Sequence, residues 1–161
     1  MAVDMFLKLG NVKGESEDSK KKGEIDVLAW SWGGSQSGSM HIGGGGGSGK
    51  ASFQDISVTK YVDIASPIIM EKMSTGEHFP GDSILTIRKA GGNQMEYMIF
   101  TLTDVMVTSY STGGSGGEDR LTENVTFSFA KFKIKYTKQG KSGKADGDAE
   151  FTYNIKENKK E

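Results

Sequence analysis

Residues Leu121–Thr137 read LTENVTFSFAKFKIKYT. Apolar and polar side chains alternate along this stretch, the pattern of a strand with one buried face. The alternation changes phase midway. Val125, Phe127 and Phe129 are odd-numbered, whereas Ala130, Phe132, Ile134 and Tyr136 are even-numbered. A strict two-residue period cannot hold both sets on one face. Either a bulge near Phe129–Ala130 re-phases the strand, or the strand crosses from one packed layer to another. Long bent strands of this kind suit a barrel or a tightly packed double sheet.

Working outward, the same period recurs. Val3, Met5, Leu7 and Leu9 mark a first strand. Residues 24–35 predict a second, with Leu28, Trp30 and Trp32 on the core face and Val27, Ala29 and Ser31 on the other. Residues 51–64 predict a third, in which Ile56, Val58, Val62 and Ile64 share a face. Residues 83–89 form a fourth and residues 94–110 a long fifth, apolar on both faces around Met98–Leu102. Residues 121–137 are the sixth and residues 150–156 the seventh. One helix interrupts them. Ser66 is read as its N-cap, Pro67 as its first position and Gly76 as its left-handed terminator, with Ile69 and Met73 on the inward face. Ala90–Asn93 predicts a hairpin turn. The charged segments 15–23 and 137–148 read as mobile loops without a buried face. The expected class is an all-β, mainly antiparallel barrel of two packed sheets with one short side helix, in one domain over residues 1–161.

Composition excludes much. The 20 basic and 21 acidic residues leave a net charge of −1, which gives no electrostatic case for nucleic acid or an anionic membrane. The runs Lys20–Lys22 and Lys159–Lys160 are short and read as solvated loop and tail. There is no Cys, hence no disulfide and no thiolate nucleophile or ligand. No run of about 18 apolar residues predicts a membrane span, and the N-terminus lacks the basic n-region of a signal peptide. The 23 glycines exceed the roughly 11 that average usage predicts, and they cluster between the ordered segments as loop chemistry.

Possible chemical sites dissolve one by one. Gly44–Lys50 has the spacing of a phosphate-binding loop, but Ala51 stands where Ser or Thr should ligate magnesium. The following residues alternate like a strand instead of opening a helix. His41 and His78 are separate loop residues, with no spacing that marks a metal site. Glu118, Asp119, Arg120 and Glu123 form the densest polar cluster, read as local ion pairs or subunit contacts. Asn124–Thr126 matches a glycosylation sequon by chance inside a strand. Trp30 and Trp32 read as core. No nucleophile–base pair or metal set is visible, so no enzymatic activity and no cofactor are expected.

Several long motifs resemble the haemolysin-coregulated protein (Hcp) family of type VI secretion. They are residues 1–10, MAVDMFLKLG; 24–33, EIDVLAWSWG; 38–42, GSMHI, with the glycine run behind it; and 111–125, STGGSGGEDRLTENV. The resemblance covers almost the whole chain and is loosest at 15–23 and 138–150. It implies a phage tail-tube-like barrel whose subunits form a homo-hexameric ring. Rings would stack into a tube, propelled by a contractile sheath behind a spike protein, with effector proteins shielded in the lumen. Such a protein would be made in the cytoplasm and secreted by that system without a cleavable signal. The chain ends without the appended toxin domain of longer members. On this reading Met40, His41, Ile42 and Gly43, Gly44, Gly45, Gly46 and Gly47 carry ring stacking. Ser31, opposite Trp30 and Trp32, faces the lumen, where a bulkier side chain should obstruct cargo. Glu118, Asp119 and Arg120 are candidate subunit contacts. Two other readings stay open: a tube protein of a phage tail or another contractile machine, and a monomeric β-barrel binding module that uses Trp30 or Trp32.

Overall fold

The computed structural model describes residues 2–38 and 48–161. The strands are β1 (Val3–Lys8), β2 (Ile25–Ser31), β3 (Gly34–Gly38), β4 (Ser48–Phe53), β5 (Ile56–Tyr61), β6 (Ser83–Lys89), β7 (Glu96–Thr103), β8 (Met106–Gly113), β9 (Thr122–Ser128), β10 (Lys131–Gln139), β11 (Ala145–Asn154) and β12 (Lys159–Lys160), with one helix, α1 (Ser66–Thr75). Ten strands form an antiparallel sheet in the order β12-β11-β10-β7-β6-β1-β2-β5-β9-β8, and β3 and β4 form a separate ladder. The large sheet bends around one core. Leu7, Leu85, Phe100 and Phe132 come from one half, and Ile25, Val58, Val125 and Phe127 from the other. The all-β expectation holds, but the barrel is not closed: no ladder joins β8 to β12 among the described residues.

The phase change at Phe129–Ala130 is a layer crossing. β9 pairs with β5 and β8, whereas β10 pairs with β7 and β11. The long fifth strand breaks at the same level. β7 pairs with β6 and β10, and after Asp104, at φ 55°, β8 joins β9 in the other half. Ala130 N–H donates to the Thr103 carbonyl at 2.9 Å and ties the two crossings together.

The predicted second and third strands also divide. A register shift between Val27 and Ala29 changes the inward face of β2. Ile25 and Val27 are buried before it, Trp30 packs inward after it, and Leu28 is exposed rather than core. The chain then pivots at Gly33 and Gln54, where Gln54 N–H donates to the Gly33 carbonyl at 2.9 Å and Trp32 Nε1 to the Gln54 carbonyl at 2.8 Å. β3 and β4 thereby leave the main sheet as their own hairpin. In β5, Ile56 and Val58 face the core as expected, but the next inward position is Lys60. Val62 and Ile64 are exposed, Ile64 at 65%.

Helix α1 begins one residue earlier than a Ser66 N-cap requires. Ala65 is the N-cap without a side-chain bond, Pro67 lies in the first turn, and Gly76 ends the helix at φ 70°. Ser66 is occupied elsewhere, as described below. Ile69 is buried and Met73 partly so. The 90–93 segment does turn β6 into β7, with Gly91 at φ 108°.

Neither charged segment is a free loop. Residues 137–148 are largely strand, since β10 runs to Gln139 and β11 starts at Ala145. Lys138, Asp146 and Asp148 of this segment extend a cross-strand ladder along β10 and β11, Lys133–Glu150 at 3.3 Å, Lys135–Asp148 at 3.6 Å and Lys138–Asp146 at 3.9 Å, so no apolar periodicity marks it. Residues 15–23 are tied back by Ser16 N–H to the Glu24 carbonyl at 3.0 Å and Gly23 N–H to the Ser16 carbonyl at 2.9 Å. Asp18 pairs with Arg88, which is buried over the Phe6 ring at 4.8 Å. Lys21 reaches Glu96 at 2.9 Å.

This anchor has a pH signature. Its bond to Arg88 lowers the Asp18 carboxyl from the ordinary 3.8 to about 2. A group more acidic in the folded than in the unfolded chain stabilises the fold above the unfolded value. That contribution is complete above pH 3.8 and is lost as the pH falls toward 2. Proteolytic nicking within 15–23 should accelerate over that window. Asp18→Asn should nick readily at every pH, and a variant as resistant and as acid-sensitive as the parent would refute the anchor.

Candidate functional site

Two outward faces of the large sheet differ in chemistry. On β10 and β11, Lys131, Lys133 and Lys135 alternate with core-facing Phe132 and Ile134 and pair with Glu161, Glu150 and Asp148. That face is ionic. The opposite half, β2-β5-β9-β8, presents no charge over two successive rows. Ser31 lies opposite Ser57, Ser57 opposite Thr126, and Thr126 opposite Ser109. The next row runs Ala29, Thr59, Asn124, Ser111.

These side chains bond to one another. Thr59 Oγ1 donates to Asn124 Oδ1 at 2.7 Å, and the Thr126 hydroxyl lies 2.7 Å from that of Thr108 and 2.6 Å from that of Ser109. The alternation that buries Ile56, Val58, Val125 and Phe127 turns the hydroxyl side chains outward. Ser31 is exposed on this face, and Trp30 turns inward, 4.9 Å from the Phe100 ring in an edge-on geometry. Trp32 packs edge-on against Phe132 at 4.8 Å and stacks with Phe53 at 6.0 Å. Both tryptophans are packed as core aromatics.

Beneath this face lies a buried ion pair. Lys60 and Glu123 are each 0% exposed and pair directly. Lys60 Nζ also donates to Asp63 Oδ1 at 2.9 Å and to the Tyr61 carbonyl at 2.9 Å. Ser66 Oγ donates to Glu123 Oε1 at 2.7 Å and accepts from Asp63 N–H at 3.0 Å. Tyr110 donates its hydroxyl proton to Glu123 Oε2, and burial together with that carboxylate pushes its pKa up to about 12. The network fastens the start of α1 to β5, β8 and β9. Every donor in it serves an acceptor within the fold, so the carboxylate is structural.

The other sequence candidates scatter. Glu118, Asp119 and Arg120 are exposed on the β8–β9 connection, away from Glu123, which points inward. Arg120 stacks its guanidinium 3.8 Å from the centre of the Tyr61 ring, a local cation–π pair. Met40, His41, Ile42 and Gly43–Gly47 lie outside the described residues, as does most of the phosphate-loop-like segment; β4 follows it as a strand. Among the described residues no group of three or more His, Asp or Glu is placed to hold a metal, and no helix is long and apolar enough to cross a membrane.

The comparisons with known proteins agree with the motifs. The family model for the type VI secretion system effector Hcp matches residues 6–136. Protein hcp1 of Pseudomonas aeruginosa is 59% identical over 160 residues, covering 98% of both chains. A solved type six secretion system protein superposes with a TM-score of 0.92 at 34% identity, over 99% of this chain and 100% of that one. Hcp1 from Salmonella typhimurium does so with a TM-score of 0.82 at 39% identity, over 99% of each. With the fold shared end to end and 59% identity over 160 residues, the chain belongs to the Hcp family of type VI secretion proteins.

Proposed function

We propose that this protein is the tube subunit of a type VI secretion machine and has no catalytic role. Six copies form a ring around an open lumen, and rings stack into a tube. A contractile sheath expels the tube behind a spike, and small effectors travel inside. The subunit is assembled in the cytoplasm and leaves the cell with the tube.

The open sheet carries this reading. Its two edges are different strands: among the described residues β8 is unpaired along one side, and β11 is covered only at Tyr153 and Asn154. Unpaired edges invite partners. Two unlike edges suit a heterologous, head-to-tail contact that closes into a ring. Stacking needs a second, different contact, and the β3–β4 hairpin stands apart from the sheet to supply one through residues 40–47. Ser31 faces the lumen, and Glu118, Asp119 and Arg120 border the next subunit.

Light scattering after size exclusion tests the ring. Six 17.4 kDa subunits should elute near about 104 kDa. A folded monomer at every concentration would sink the ring and favour a binding module. Deleting Gly43–Gly47 should preserve that mass while abolishing tubes in electron micrographs of concentrated protein. Tubes at parental yield would remove the stacking role.

A further inference from the structure

We infer that the open cleft between Val3 and Tyr136, at the far end of the core-facing surface of β1-β6-β7-β10, is a docking site for a partner protein. It takes a short acidic segment that carries one apolar side chain. The inference stands on the single chain and goes beyond the tube reading.

Strand parity makes the cleft. Leu7 in β1, Leu85 and Ile87 in β6 and Phe132 in β10 face the core. Positions of the same parity continue to Val3, Lys89 and Tyr136 at the other end of the strands. There the cover runs out: Val3 is 40% and Tyr136 48% exposed. A register shift between Ile87 and Arg88 admits Tyr97 as an extra residue on β7, and Met95 and Tyr97 complete the wall. The cleft holds about 310 Å³. That is the small end of the ligand-sized range, roughly 300–1,000 Å³, and suits one large apolar side chain.

Lys89 is the one ionised group in the wall, and it is held in place. Its Nζ donates to Gln139 Oε1 and lies 5.8 Å from the centre of the Tyr97 ring. Gln139 Nε2 donates to the Gly143 carbonyl at 3.1 Å, and Asn93 Nδ2 donates to the same carbonyl. The β6–β7 and β10–β11 turns are thereby tied together along the rim. Carboxylates on the flanking strands are already engaged: Asp4 with Arg88 at 3.3 Å, Glu96 with Lys21 at 2.9 Å and Asp146 with Lys138 at 3.9 Å. Among the described residues Lys89 pairs with no carboxylate, and neither do Lys141 and Lys144 in the adjoining turn. A chain of net charge −1 thus gathers three unmatched cations around an apolar cleft. An acidic group alone would leave the apolar wall in water, and an apolar group alone would bury Lys89 without a counter-charge. An acidic segment with an apolar anchor satisfies both.

The test titrates the full chain, its mass first read by light scattering, into the fluorescein-labelled peptide EEEFEEE and follows anisotropy. EEEGEEE lacks the anchor and KKKFKKK reverses the charge, and each should bind at least about tenfold more weakly. Added salt should weaken EEEFEEE binding. Lys89→Met should cost about tenfold, whereas Lys133→Met, which removes a cation from the ionic face, should bind like the parent. If Lys89→Met alters the parent's mass or urea midpoint, Lys141→Ser with Lys144→Ser takes its place, changes confined to an exposed turn that should cost severalfold. Equal binding of EEEFEEE and EEEGEEE, or equal losses in the Lys89 and Lys133 variants, would reduce the effect to general charge and overturn the cleft. So would no binding at all. Binding to monomers but not to rings would make a second copy the occupant and overturn the outside partner. A monomer that binds as expected keeps the cleft and removes only the ring.

Discussion

Glu123→Leu is expected to destabilise the protein by about 3 kcal/mol, the low end for breaking a buried pair, because the Lys60 ammonium loses one of its two carboxylates and keeps only Asp63. Lys60 has no route to water: it is fully buried, and its remaining acceptors are Asp63 Oδ1 and the Tyr61 carbonyl, with Ser66 at 3.3 Å. The loss should appear as a lower urea midpoint at fixed protein concentration, which matters because association shifts apparent stability. The double variant Lys60→Met with Glu123→Leu should recover little, because Asp63 then loses its cation; the triple variant that adds Asp63→Asn should recover most of it, since uncharged, well-packed residues can replace a buried ionic cluster at little cost. Equal destabilisation of the single and triple variants would show that packing, not a lost counter-charge, causes the loss. Tyr110→Phe should cost about 1.5–3 kcal/mol, the scale of one hydrogen bond to a charged group.

Phe132→Ala should cost about 3–5 kcal/mol, by lost burial and by the cavity it leaves. Phe132 is the hub between the projecting hairpin and the sheet. Its ring meets Trp32 at 4.8 Å and Phe53 at 5.1 Å from the hairpin and its pivot, and Phe151 at 5.8 Å and Tyr153 at 6.1 Å from β11. The loss should therefore be local as well as global. Hydrogen exchange in β4 should rise ahead of exchange in β9, and the Trp32 emission should move to the red. A variant with the same midpoint loss but uniform exchange would show that Phe132 stabilises the core without holding the hairpin.

The alternation of Leu121–Thr137 exposed the layer crossing because its two halves bury opposite parities. It could not choose between a bulge and a crossing, since both re-phase a strand identically; only the partners of β9 and β10 decide. The matching break at Asp104 also switches the buried parity, from Phe100 and Leu102 to Val105 and Val107, but the two-sided apolar character of Met98–Leu102 hides it. Leu28 was misplaced for the same reason: the Val27–Ala29 register shift moves the buried face without changing composition. The buried pair did leave a trace. Lys60 follows Ile56 and Val58, and Glu123 precedes Val125 and Phe127, each at the next inward position of its strand. Opposite charges at inward positions of adjacent strands predict a buried pair, but the adjacency of β5 and β9 is tertiary information. The hydroxyl face was equally visible as Ser57, Thr59, Asn124 and Thr126, and equally mute until pairing aligned them. Family membership now separates this chain from phage-tail tube proteins.

The twin crossings at Asp104 and Phe129–Ala130 also have a mechanical meaning. The two halves of the sheet are joined by continuous backbone at two adjacent points, themselves linked by the Ala130–Thr103 hydrogen bond. A shear load on the ionic face therefore passes to the hydroxyl face as tension in covalent chain. It does not rely on friction between packed side chains, which would slip first. A subunit built this way moves as one piece when either face is loaded.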